Sequence, residues 1–243
     1  MTRHLIEFQS KYLLRKVEVI VYIPGRSLVE TINQDDDYYK KRKDTYPLML
    51  LLSGFGSSKS AWEQSSNVVA LAQKHKIALC MLGGENKWYM NFSPIDNFEG
   101  FINKELPEFL YSELSSLSNK EPLYIAGCSM GGYGALRNYL LNLDRYKACG
   151  VFSPATKPDN NLEEVLNQPK LKDLIINTAS LPKNVYLSVG SLDFIYKESM
   201  EYNKFLIDTN CGFTYKSVEG YDHSFKLWNE EIECFLDYID KLK

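Results

Sequence analysis

The sequence predicts a doubly wound α/β domain around a mostly parallel sheet. Three observations carry that prediction. Short apolar runs, each stopped by Gly or Ser, recur from residue 46 onward. Segments with helical spacing lie between them, and this alternation is the pattern of strand–helix–strand units. The chain has 243 residues, 44% apolar and 24% charged, enough to bury a core without disulfide or metal staples. A single domain over residues 1–243 is expected.

The elements follow in order. Leu5 to Phe8 reads as a strand. Val17, Val19, Val21 and Ile23 alternate with Glu18, Ile20 and Tyr22 and stop at Pro24-Gly25, a second strand ending in a turn. Gln34 to Thr45 is polar and dense in charge. It reads as a solvated hairpin tip, with a binding loop as the alternative. Five buried strands are then predicted at Pro47–Leu52, Ile77–Leu82, Leu123–Ala126, Ala148–Phe152 and Val185–Val189. Helical faces run over Ala61–Lys74, over Phe98–Leu117 with a break or kink at Pro107, over Tyr133–Leu143, and over Phe225–Ile239. Right-handed crossovers place such helices on both faces of the sheet. The stretch Thr156–Pro182 departs from the pattern. It is rich in Asn, Lys and Pro, with one short helical piece at Leu162–Leu166, and reads as an excursion over the strand ends, a partial lid or a long connection.

Composition excludes several classes. The net charge is −3 with both signs interspersed, so no basic surface for nucleic acid or anionic membrane is expected. No apolar stretch approaches the ~20 residues of a membrane span. Cys80, Cys128, Cys149, Cys211 and Cys234 form no Cys-x-x-Cys pair, so zinc and redox motifs are not predicted. They read as buried thiols in a reducing compartment. The first residues lack the apolar run of a signal peptide, and a cytoplasmic location is expected.

Chemistry concentrates at Gly127-Cys128-Ser129-Met130-Gly131. Gly-x-Ser-x-Gly between a buried strand and a helix is the context of a nucleophile elbow. The turn is cramped, and flanking glycines let Ser129 stand exposed at the carboxyl edge of the sheet. The alternative is a Gly-rich turn with a capping Ser. A serine hydroxyl needs a base, and the chain has three histidines. His4 is near the N-terminus, and His75 reads as a solvated residue at a helix end. His223, after the last predicted strand and before the last helix, is the candidate base. In the order Ser, acid, His, the acid is Asp193, which follows the strand Val185–Val189 through Gly190-Ser191-Leu192. Asp222 is the rival, and Asp159 and Asp173 are weaker ones. A developing oxyanion needs donors. The Met130 amide follows the nucleophile, and the Phe55 amide lies in the loop Ser53-Gly54-Phe55-Gly56 after the first parallel strand. That loop lacks the Gly-Lys-Ser/Thr of a phosphate-binding loop.

Together these residues resemble the esterase D family of α/β-hydrolases, closest to small bacterial tributyrin-type carboxylesterases. The resemblance covers roughly residues 46 to 243. It rests on Leu50-Leu51-Leu52-Ser53-Gly54-Phe55-Gly56 with Trp62, Asn86-Lys87-Trp88-Tyr89, Ile125 to Gly134, Gly190 to Phe194, and Gly220-Tyr221-Asp222-His223. It implies the α/β-hydrolase fold, the triad Ser129, Asp193 and His223, oxyanion amides at Phe55 and Met130, and no metal or other cofactor. It also places Trp88 and Tyr89 where the family builds part of its substrate pocket, with plain packing the other reading for both. Many members carry His where this chain has Ser53, and Trp where it has Phe225. These two differences bear on substrate identity. The expected function is hydrolysis of small short-acyl esters through an acyl-enzyme on Ser129. The alternatives are an S-formylglutathione hydrolase, an acyltransferase, a feruloyl or acetyl-carbohydrate esterase, or a non-catalytic binding protein on the same fold. The expected partner is a small-molecule ester, and a homo-oligomer is compatible with the sequence.

Overall fold

The computed structural model describes residues 1–41, 43–158, 167–177, 182–209 and 212–242. The helical piece expected at Leu162–Leu166, Asp159 and Cys211 lie outside them. Eight strands form one sheet: β1 Thr2–Gln9, β2 Lys16–Ile23, β3 Leu48–Leu52, β4 Ala78–Leu82, β5 Leu123–Cys128, β6 Ala148–Phe152, β7 Val185–Gly190 and β8 Phe213–Val218, in the order β1-β2-β4-β3-β5-β6-β7-β8. β1 is antiparallel to β2, and β2 to β4; every other pairing is parallel. The carboxyl ends of β3 to β8 therefore share one edge, where catalytic groups gather in open α/β sheets.

The continuous apolar runs follow from burial on both faces. Leu48, Leu50 and Leu52 of β3 join one core cluster, whereas Met49 and Leu51 join the other. The first cluster lies under the helices Met130–Leu141, Leu171–Asn177 and Tyr196–Asp208. The second lies under Ala61–Ser65, Val68–His75 and Phe225–Asp240. Each fully buried Leu or Phe contributes about 1.5–3 kcal/mol. Among the described residues, no helix is long and apolar enough to cross a membrane.

Three local readings are corrected. The described residues of Gln34–Thr45 are mostly exposed, but the stretch is no hairpin tip: β2 pairs with β1 and β4, so it belongs to the connection from β2 to β3, and among its described residues it carries a short helix, Tyr38–Lys41. Ala61–Lys74 is two helices, broken at extended Ser66. His75 is buried, with Nδ1 2.6 Å from Asp240 Oδ2 on the last helix. Strand β8 and the helix Tyr196–Asp208 were not among the predicted elements. Before Pro107 the chain forms a π-helical turn, Phe101–Glu105, in which Leu106 N–H donates to Phe101 O. Proline has no N–H to donate and its ring crowds the preceding turn, so widening that turn accommodates it.

Candidate active site

Ser129 lies at the tip of β5, half-buried, with φ +54° and ψ −121°. This backbone is strained for a non-glycine residue and costs of order 1–3 kcal/mol. The neighbours hold it there. Ser129 N–H donates to Phe152 O at 2.9 Å, and its carbonyl accepts from Tyr133 N–H at 3.0 Å. The flanking glycines are required by close approach. A Cβ on Gly127 would lie 2.4 Å from Gly131 O, and one on Gly131 would lie 2.4 Å from Leu52 O.

His223 Nε2 is 3.0 Å from Ser129 Oγ, and His223 Nδ1 is 2.9 Å from Asp193 Oδ2. Asp193 is buried and also accepts the Ile195 N–H at 3.0 Å, which fixes the carboxylate plane. The ionised carboxylate can only accept, so it selects the tautomer with a proton on Nδ1. That leaves the Nε2 lone pair for the serine hydroxyl. The imidazole packs between Phe194, at 4.5 Å, and Trp228, at 5.1 Å between ring centroids. The two loops bearing the acid and the histidine are joined by their backbones: Leu192 N–H donates to Tyr221 O and Ser191 N–H to Val218 O, both at 2.9 Å. Asp222 is exposed and takes the Ser224 hydroxyl, and Asp173 is exposed on the helix Leu171–Asn177. The histidine's side-chain hydrogen bonds go to Asp193 and Ser129 instead.

The loop after β3 runs against Ser129; a Cβ on Gly54 would be 3.5 Å from the Ser129 Cβ. Ser57 N–H donates to Gly54 O at 3.2 Å and closes a turn with Gly56 at φ +69°, the position where a type II turn needs glycine. Among the described residues the Phe55 N–H has no acceptor, whereas the Gly56 N–H donates to Asn86 Oδ1 at 2.7 Å. Met130 is the first residue of its helix, where an N–H has no intrahelical acceptor and the helix dipole favours negative charge.

Tyr89 is fully buried. Its hydroxyl accepts the Ser53 N–H and donates to Ser53 O, both at 2.8 Å, and its ring fills the space left by Gly84 and Gly134. Tyr89 thus presents no surface to a substrate, and the packing reading holds for it. Trp88 is 6% exposed and packs edge-on against Tyr133 at 5.5 Å. Burial pushes both the Tyr89 phenol and the Cys128 thiol up, so both stay protonated and Cys128 is no rival nucleophile. Ser53 Oγ donates to Ser58 O at 2.8 Å, and Phe225 packs on Trp62 at 5.3 Å. The departures at 53 and 225 are therefore both filled by local contacts. Asn86, Phe194 and Trp228 were missed as contributors. Asn86 could have been found from its place beside Trp88 and Tyr89 in the quoted motif.

The profile of the family described as "Putative esterase" matches residues 10–234. An acetyl esterase of Caldicellulosiruptor saccharolyticus is 24% identical over 268 residues, covering 98% of this chain and 97% of its own. An S-formylglutathione hydrolase of Arabidopsis thaliana is 30% identical over 141 residues, covering 51% of this chain and 49% of its own. Among solved structures, the fluorophosphonate-binding serine hydrolase F of Staphylococcus aureus, with substrate bound, superposes at a TM-score of 0.78 with 18% identity over 98% of both chains.

Proposed function

The chain belongs to the Putative esterase family of serine hydrolases, and on that premise we propose that Ser129, His223 and Asp193 are its catalytic triad, acting on small short-acyl esters. The observation that carries this reading is the continuous hydrogen-bonded line from Ser129 Oγ through His223 to buried Asp193. Ser129 attacks the ester carbonyl while His223 Nε2 takes its proton. Asp193 keeps the imidazole oriented and stabilises the imidazolium. The oxyanion accepts hydrogen bonds from the Phe55 and Met130 amides, each worth about 10²–10³ in kcat in comparable sites. Collapse expels the alcohol, which takes the proton from His223. Water activated by His223 then releases the acid from the acyl-enzyme. No step calls for a cofactor.

The short-acyl assignment rests on the full-length similarity to an acetyl esterase. The test is hydrolysis of p-nitrophenyl acetate, butyrate and octanoate by the wild type and by Ser129→Ala. We expect kcat/KM to fall with acyl length, and Ser129→Ala to lose at least about a thousandfold. Equal activity in the two proteins would remove the nucleophile, and a preference for octanoate would remove the short-acyl assignment. The half-length match to an S-formylglutathione hydrolase supports a second reading, thioester hydrolysis at the same serine. A higher kcat/KM for S-formylglutathione than for acetate esters would favour it. A cytoplasmic location is proposed on the free thiols, of which Cys80, Cys128 and Cys149 are buried.

A further inference from the structure

The Phe55 amide can meet an oxyanion only if the turn Gly54–Ser57 holds still. The Phe55 N–H shares a planar trans peptide with Gly54 C=O, so the two point in opposite directions. The bond from Ser57 N–H to Gly54 O, 3.2 Å, therefore turns the Phe55 N–H away from the turn's interior. The next peptide, Phe55–Gly56, is the weak point, because glycine allows it to turn over at little cost. Its N–H is held by Asn86 Oδ1 at 2.7 Å.

Asn86 is itself built into a rigid segment. Glu85, Asn86, Trp88 and Tyr89 are all left-handed, at φ +49°, +58°, +55° and +56°. Four such non-glycine residues persist only where the surroundings determine them. Glu85 and Asp96 are each paired with both Arg15 and Lys87 at 2.6 to 3.2 Å, fixing the residues on either side of Asn86. Tyr89 then ties the far end of the segment to Ser53, at the start of the same loop. The segment grips the loop at Ser53 and again at Gly56.

We propose that Asn86 is a positioning residue for oxyanion stabilisation: by capturing the Gly56 N–H it locks the turn so that the Phe55 N–H is the donor offered to the reacting carbonyl. This rests on the roles proposed above for Ser129 and Phe55. Asn86 touches no reacting atom.

Asn86→Gly and Asn86→Asp test it. Glycine keeps the left-handed backbone and removes the acceptor; aspartate keeps an acceptor oxygen of similar reach. Active sites are titrated to completion with a fluorophosphonate, and kcat and KM for p-nitrophenyl acetate are expressed per titrated site. For Asn86→Gly, kcat per site is expected to fall at least about tenfold with KM within about twofold, below the roughly hundredfold or greater loss of a whole donor. Asn86→Asp is expected to keep at least about half of the wild-type kcat. An unchanged kcat per site in Asn86→Gly, with any loss confined to the number of titrated sites, overturns the proposal. So does an Asn86→Asp protein as impaired as Asn86→Gly. Activity surviving in Ser129→Ala would instead remove the premise, and the positioning role with it.

Discussion

Asp193 and Asp222 are both aspartates near His223 in chain or space, yet their surroundings differ. Asp193 is buried, with two acceptor oxygens fixed by Ile195 N–H and His223. Asp222 is exposed and engaged by Ser224. Replacing Asp193 by Asn puts an amide opposite Nδ1 and favours the tautomer with its proton on Nε2, where it cannot accept from Ser129. We expect Asp193→Asn to lower kcat for p-nitrophenyl acetate by about 10³–10⁴ with little change in KM. Asp222→Asn is expected to stay within about twofold. Steady-state kinetics on the two variants decides the matter, and a larger loss in Asp222→Asn would reverse the assignment. Gly190 belongs to the same local logic. A Cβ there would lie 2.1 Å from Tyr221 O, so the acid and histidine loops pair only because this position has no side chain.

At the scale of elements, patterning identified what burial made periodic and missed what it did not. β3 to β7 are buried along their whole length and read as short apolar runs, with the buried Ser188 in β7 as a polar interruption. β8 is an edge strand, only partly covered, and its Phe-Thr-Tyr-Lys-Ser-Val gives no such run. The helix Tyr196–Asp208 buries Ser199, Tyr202, Asn203 and Leu206, a face at helical spacing that is half polar and so escapes a search for apolar residues. The loop that carries Asn86 is held by charge at Glu85 and Lys87 as well as by the packing of Trp88 and Tyr89. Desolvation pushes the Asp96 carboxyl up, but hydrogen bonds from Lys87 and Arg15 outweigh it and hold its pKa below the ordinary carboxylate range. A depressed folded pKa contributes stability above the unfolded value of about 3.9, lost as pH falls below it through the folded value. Urea unfolding between pH 6 and pH 3 should therefore show a steeper acid loss in the wild type than in Asp96→Asn. Parallel curves would deny Asp96 that role.

Across the whole molecule, Arg137 binds distant segments together. Its side chain is 1% exposed, on the helix that follows Ser129. It donates to Pro169 O at 2.6 Å, Gln168 Oε1 at 2.9 Å and Glu99 Oε1 at 3.1 Å. Removing it takes the donor from the Pro169 carbonyl and from one oxygen of the partly buried Glu99 carboxylate, whose other oxygen keeps Asn91. We expect Arg137→Met to cost about 2 kcal/mol, less than a fully buried pair because Glu99 retains some solvent. Trypsin should also cut faster at Lys170 and Lys172. Unaltered urea unfolding together with an unaltered cleavage rate would show that the tie carries no weight.

The sequence by itself determined the class of sheet and the gathering of Ser129, His223 and Asp193 at one edge of it, since a parallel sheet sends every strand's carboxyl end to that edge. It did not determine how the loop after β3 is held. Asn86 and Gly56 are 30 positions apart, and Tyr89 and Ser53 are 36 apart. Those contacts depend on β3 and β4 lying side by side in register, with Leu52 opposite Leu82, so that the loops leaving them meet. Nor could it say whether Tyr89 faces a substrate or the core, because the same aromatic ring suits both. The tertiary structure decided for the core, by placing the ring in the space left by Gly84 and Gly134 and its hydroxyl on the Ser53 backbone.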